Sequence, residues 1–89
     1  ASDVYKRQVM ALCKVLVVDD EESIREFFEI MLKREGYEVW TAANGKEALE
    51  RLKKGRADLI LSDIQMTEMS GLELLAKVKE MDPEAMMIM

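Results

Sequence analysis

Val15-Leu16-Val17-Val18 is an unbroken apolar run, rich in β-branched side chains, that ends abruptly on two carboxylates, Asp19-Asp20. A run with no polar face to turn toward water reads as a strand covered on both sides. Leu59-Ile60-Leu61 repeats the pattern and meets Asp63 after one intervening residue, Ser62. Helical spacing separates these runs. Ile24, Phe27, Phe28, Met31 and Leu32 recur at i, i+3, i+4, i+7 and i+8, the stripe of an amphipathic helix. Ser23-Ile24-Arg25-Glu26 offers a capping box at its start, with room for the helix to open a residue or two earlier. Gly36 falls where a left-handed residue closes such a helix.

The alternation continues to the end of the chain. Tyr37–Thr41 reads as a second strand. Asn44 caps a second helix with Glu47 three residues on; Ala48, Leu49 and Leu52 form its stripe and Gly55 stops it. Ser70-Gly71-Leu72-Glu73 is a further capping box, and Gly71, Leu74, Leu75 and Val78 share one face of a third helix that Pro83 ends. Ala85–Met89 begins a fourth strand. The order β-α-β-α-β-α-β implies an α/β fold, a doubly wound parallel sheet with helices on both faces. Right-handed crossovers leave few topologies.

Composition narrows the chemistry. The chain has 89 residues, one domain's length, with 18 acids against 13 bases, a balance that argues against a nucleic-acid surface. Histidine is absent and Cys13 stands alone, which excludes a Ser-His-Asp triad, a Cys-His dyad, a His-ligated metal and a thiolate zinc site. No apolar run reaches the roughly 18 residues of a membrane span. The setting expected is cytoplasmic. The turn after the first strand contains no glycine, so the phosphate-cradling loops of nucleotide-binding folds are missing where they should sit.

In an open α/β sheet the ligand site lies beyond the carboxyl ends of the strands, where the strand order reverses. The lateral order 2-1-3-4-5 is borrowed here from known doubly wound sheets. If strands one and three are neighbours, Asp19, Asp20 and Asp63 meet at one edge. Two unit charges about 4 Å apart repel by about 4 kcal/mol at an effective dielectric of about 20. A hard divalent cation removes that conflict, and Mg²⁺ suits oxygen ligands and keeps several waters. A carboxylate held ionised beside it is a competent phosphoryl acceptor. Each acid alone reads equally well as an ordinary turn or cap residue. Their coincidence on the two strands expected to flank the switch point favours a shared site.

Three segments carry a family resemblance: Lys14-Val15-Leu16-Val17-Val18-Asp19-Asp20-Glu21-Glu22, Asp58-Leu59-Ile60-Leu61-Ser62-Asp63-Ile64-Gln65-Met66 and Met69-Ser70-Gly71-Leu72-Glu73-Leu74-Leu75. They resemble the receiver domain of bacterial two-component response regulators, from about Cys13 to Met89, with Asn44-Gly45-Lys46-Glu47-Ala48-Leu49 also in family style. The resemblance implies a flavodoxin-like receiver fold and a phosphorelay role. Asp63 would accept a phosphoryl group from a phosphohistidine on a sensor histidine kinase. Asp20 and Asp63 would ligate Mg²⁺ directly, the backbone carbonyl of Gln65 would be a third protein ligand, and Asp19 would act through a water. The absence of histidine is in keeping, because the donor histidine belongs to the partner.

Two departures stand out. Thr67 occupies the place where the family usually has proline after Met66. The family's switch Ser/Thr after strand four and its lysine after strand five lie beyond Met89, so the segment reads as a partial receiver domain, 13–89, truncated after the fourth strand. A C-terminal output domain, of a transcriptional and DNA-binding kind, is expected downstream. Residues 1–12 read as a tail outside the domain; Asp3-Val4-Tyr5-Lys6-Arg7-Gln8 is what translation of GAT GTG TAT AAG AGA CAG yields, which resembles a transposon-end sequencing adapter. Two rival readings use the same acids. A Mg²⁺-dependent phosphohydrolase would typically show Asp-x-Asp rather than adjacent acids, and a receiver-like module that only binds partners would typically have a broken acid pocket. The reading preferred is a signalling module and not an enzyme.

Several other residues have plain structural readings. Trp40 is expected to pack in the core, and Met31 and Met81 to fill gaps. Lys53-Lys54-Gly55-Arg56 reads as a solvated helix end that complements the dipole. The fourth strand is expected to be an unprotected apolar edge, and the chain on its own marginal or prone to aggregate.

Overall fold

The computed structural model describes residues 14–63 and 69–89. The segments 1–13 and 64–68 lie outside the described residues, and with them Cys13, Gln65, Met66 and Thr67. The elements alternate along the chain: β1 (Lys14–Val18), α1 (Glu22–Arg34), β2 (Glu38–Ala42), α2 (Gly45–Lys54), β3 (Leu59–Ser62), α3 (Gly71–Met81) and β4 (Met86–Ile88). The four strands form one parallel sheet in the order β2-β1-β3-β4. The borrowed lateral order therefore holds as far as the chain extends, and β1 lies between β2 and β3.

Alternation along the strands divides the core in two, because successive side chains leave opposite faces of a sheet. Leu16, Val18 and Ile60 point to the face covered by α2 and α3, where they pack with Ala42, Ala48, Leu74 and Val78. Val15, Val17 and Val39 point to the other face and meet Phe28 and Leu32 of α1. Leu16, Ile60 and Leu74 are wholly buried, and each such side chain contributes about 1.5–3 kcal/mol by leaving water.

The two faces are unequally covered. None of the 13 residues of α1 is fully buried. Of its expected stripe only Phe28 and Leu32 pack against the sheet, while Phe27 remains 60% exposed, and Ile24 and Met31 are exposed as well. Phe27 instead rests edge-on against Phe28, with ring centroids 5.4 Å apart. Met31 and Met81 are exposed and do not fill core gaps as the sequence suggested. A helical period marks which side a helix turns inward; it does not say how far the neighbouring layer extends to cover it.

The caps account for most element boundaries. Asn44 accepts from the Glu47 N–H at 2.8 Å and Ser70 from the Glu73 N–H at 3.1 Å, both as expected. Gly36, with φ 98°, follows α1 in the left-handed region that L side chains avoid. The box expected at Ser23 does not form the start of α1: the N-cap is Glu21, so Ser23 lies inside the first turn. The turn is tied from the strand side, where Asp19 Oδ1 accepts from the Glu21 N–H at 2.9 Å.

Gly55 ends α2 for a reason invisible in the helical pattern. Its φ of −176° is ordinary extended backbone, but a Cβ there would lie 2.7 Å from Cη2 of Trp40. Trp40 packs beside the larger core cluster, as expected, and carries the Lys14 ammonium 5.2 Å from its ring centroid. Arg56 is not simply part of a solvated basic helix end. It pairs with Asp82 at 3.0 Å and reaches Glu84 at 3.9 Å, joining the start of the β3 segment to the α3–β4 turn.

Candidate phosphoacceptor and cation site

The acids are placed by the ladder of main-chain hydrogen bonds. Val18 of β1 and Ser62 of β3 are the last paired residues. One step further, the Asp63 N–H donates to the Val18 carbonyl at 3.1 Å, and on the other side of β1 the Asp19 N–H donates to the Ala42 carbonyl at 3.1 Å. Both aspartates are thus held by backbone at the carboxyl edge of the sheet. Their numbering parity is that of Val17 and Leu61, which face α1, so their side chains emerge on the α1 side.

Asp19, Asp20 and Asp63 each present a carboxylate oxygen, and these three atoms lie within 4.8 Å of one another. Asp19 is half-buried, whereas Asp20 and Asp63 are exposed. The three site residues that the sequence placed on the strand ends therefore converge; Gln65 lies outside the described residues. Like charges at this spacing repel by about 1 kcal/mol per pair in bulk water and about 3 kcal/mol at an effective dielectric of about 20. The donor set suits a hard cation. Octahedral Mg²⁺ with ligands at about 2.1 Å spans at most about 4.2 Å between opposite oxygens, so small side-chain rotations bring the carboxylates to coordinating distance.

Asp19 and Asp63 border an open cleft of about 540 Å³. Its polar rim includes Asp19, Glu21, Ser62 and Asp63, and its apolar wall includes Phe28 and Ile88. Ser62 is buried, and its hydroxyl donates to the Asp63 carbonyl at 3.0 Å. Arg25 Nη1 donates to the Asp19 carbonyl at 2.7 Å. The sequence singled out neither Glu21, Ser62 nor Arg25 as a site residue. A signal existed for Arg25: side chains near a helix start lean toward its N-terminus, and here the helix starts directly after the strand that delivers the acids. A second cavity, of about 260 Å³, lies between α2 and α3 near the Arg56–Asp82 pair, with Leu52, Ile60 and Val78 in its wall. It contains none of the acids. Among the described residues no helix is long and apolar enough to cross a membrane.

Comparison with known proteins agrees with this geometry. Residues 15–89 match the family model described as the response regulator receiver domain. The chain is 41% identical over 69 residues to sporulation initiation phosphotransferase F of Bacillus subtilis, an alignment that covers 78% of this chain and 56% of that protein. The chain thus spans little more than half of that relative's length. Among solved structures, the response regulator TrrA of Thermotoga maritima, in complex with Mg(2+)-BeF, superposes with a TM-score of 0.83 at 42% identity, covering 88% of this chain and 68% of that one. A complex of TrrA with the histidine kinase ThkA matches with a TM-score of 0.80 at 42% identity, covering 85% and 66% of the two chains. The flavodoxin-like sheet, the placement of the acids on its carboxyl edge and the match over residues 15–89 together show that this chain belongs to the response regulator receiver domain family.

Proposed function

We propose that this chain is a phosphorelay receiver in which Asp63 accepts a phosphoryl group from a phosphohistidine of a sensor histidine kinase. The observation that carries the proposal is the convergence of Asp19, Asp20 and Asp63 within 4.8 Å at the carboxyl edge of the sheet. Asp20 and Asp63 would hold Mg²⁺ directly with Asp19 beside them, and the family resemblance adds the backbone carbonyl of Gln65, which lies outside the described residues. When bound, Mg²⁺ neutralises the clustered charge and that of the incoming phosphoryl group. Asp63 is exposed, and the backbone bond to Val18 keeps it in place. A carboxylate oxygen of Asp63 forms the new O–P bond as the N–P bond of the donor breaks, and the bonding pair returns to the imidazole.

Support comes from the relatives. The TrrA structure contains Mg(2+)-BeF and another TrrA structure contains a histidine kinase. Adjacent acids, rather than acids one residue apart, favour this role over a phosphohydrolase turning over free substrate. The test is phosphoryl transfer to the full-length protein from a phosphorylated kinase or a small acyl phosphate, read by intact mass with Mg²⁺ present. Asp63→Asn should abolish the labelled species, and persistence of label in that variant would refute the assignment.

A further inference from the structure

Arg25 stands outside the acid cluster yet grips its scaffold. Its Nη1 donates to the Asp19 backbone carbonyl at 2.7 Å in a partly buried setting. That carbonyl belongs to the peptide joining Asp19 to Asp20, and a peptide group is planar, so fixing its oxygen fixes the plane from which Asp20 departs. The same turn is held at two further points. Asp19 donates its N–H to Ala42 of β2, and its Oδ1 accepts from the Glu21 N–H. Arg25 is the only one of these contacts made by a cationic side chain, reaching back from α1 to the end of β1.

We infer that Arg25 is a positioning residue for the cation, holding the Asp19–Asp20 peptide in the orientation that turns Asp20 toward Asp63. The inference rests on the cation reading of the acid cluster given above. Two effects of the guanidinium oppose each other. Its positive charge beside the acids disfavours a second cation, so charge removal alone would tighten Mg²⁺ binding. Its hydrogen bond preorganises the turn, so loss of the clamp weakens binding. Partners that orient metal ligands without touching the metal typically contribute about 10–100-fold in affinity. The inference is that the clamp outweighs the charge, and the measured direction of the change in Kd decides it.

The experiment compares Arg25→Met, which keeps most of the apolar stem, and Arg25→Lys, which keeps the charge, with the parent full-length protein. Calorimetric titration with Mg²⁺ should show a Kd raised about tenfold in Arg25→Met, with Arg25→Lys between it and the parent. Without metal, hydrogen exchange at the Glu21 amide, which is bonded to Asp19 Oδ1, should quicken in Arg25→Met, while exchange in β3 stays unchanged. Equal or tighter Mg²⁺ binding in Arg25→Met overturns the inference. If the parent itself binds no Mg²⁺, the cation reading falls, and quicker exchange at Glu21 then marks Arg25 as a structural tie alone, which also overturns its assigned role. Should Arg25→Met fail to fold, as judged by its Tm in chelator, Arg25→Lys measured in the same two ways decides the matter.

Discussion

A Cβ placed on Gly55 would lie 2.7 Å from Cη2 of Trp40, so the end of α2 and the middle of β2 share a space that only a hydrogen can occupy. Gly55→Ala should therefore destabilise the chain by about 1–3 kcal/mol through overpacking, despite alanine's better backbone entropy. Trp40→Phe removes the clashing atom. A double-mutant cycle between the two should show a coupling of at least about 0.5 kcal/mol, with alanine tolerated better beside phenylalanine. Additive effects in chemical denaturation would contradict the contact.

Asp20 contributes one of three exposed or half-buried charges held within 4.8 Å. In chelator and low salt, Asp20→Asn should raise stability by up to about 1 kcal/mol, because repulsion is relieved and the side-chain size is kept. Added salt should shrink the difference between variant and parent, since screening acts on the same repulsion. A less stable Asp20→Asn protein under these conditions would show that the cluster is not repulsive.

Mg²⁺ should act as a folding ligand. At about 100 times its Kd, a cation that binds only the folded chain stabilises it by about 2.7 kcal/mol. For a domain of this size that corresponds to a rise in Tm of more than about 10 °C. The rise should disappear on chelation and be largely lost in Asp20→Asn. A Tm indifferent to Mg²⁺ in the parent protein would sink the cation reading.

Met86 lies on the outer strand β4, opposite Leu59, and is 65% exposed. Unprotected apolar edges invite pairing with other chains, and lysine on such an edge discourages it. Met86→Lys should reduce concentration-dependent light scattering of the isolated 89-residue chain while leaving its far-UV circular dichroism unchanged. Scattering that does not respond would place self-association elsewhere on the surface.

Much of the fold could be read from residue pattern because the signals were local. Val15–Val18 could only be a covered strand, and Asn44 and Ser70 each bond the residue three further on, as their sequence contexts implied. The convergence of Asp19 and Asp63 was legible once β1 and β3 were neighbours, since ladder pairing of Val18 with Ser62 brings the next residues together. What stayed hidden depends on contacts between distant segments. The tight fit of Gly55 on Trp40, the Arg56–Asp82 pair and the bond from Lys79 to the Ala85 carbonyl have no periodic signature. α1 opens two residues before the Ser23 box, within the earlier start its sequence allowed, and Glu21 caps it without a side-chain bond while Asp19 ties the turn from the preceding strand end.

The bonds that seat Asp19 and Asp63 run through peptide atoms, which every amino acid but proline supplies alike. A change of side chain at either position therefore alters the chemistry at the sheet edge without removing the main-chain anchor. The loosely covered surface of α1, where Phe27 and Ile30 meet solvent, likewise contributes nothing to seating the two aspartates.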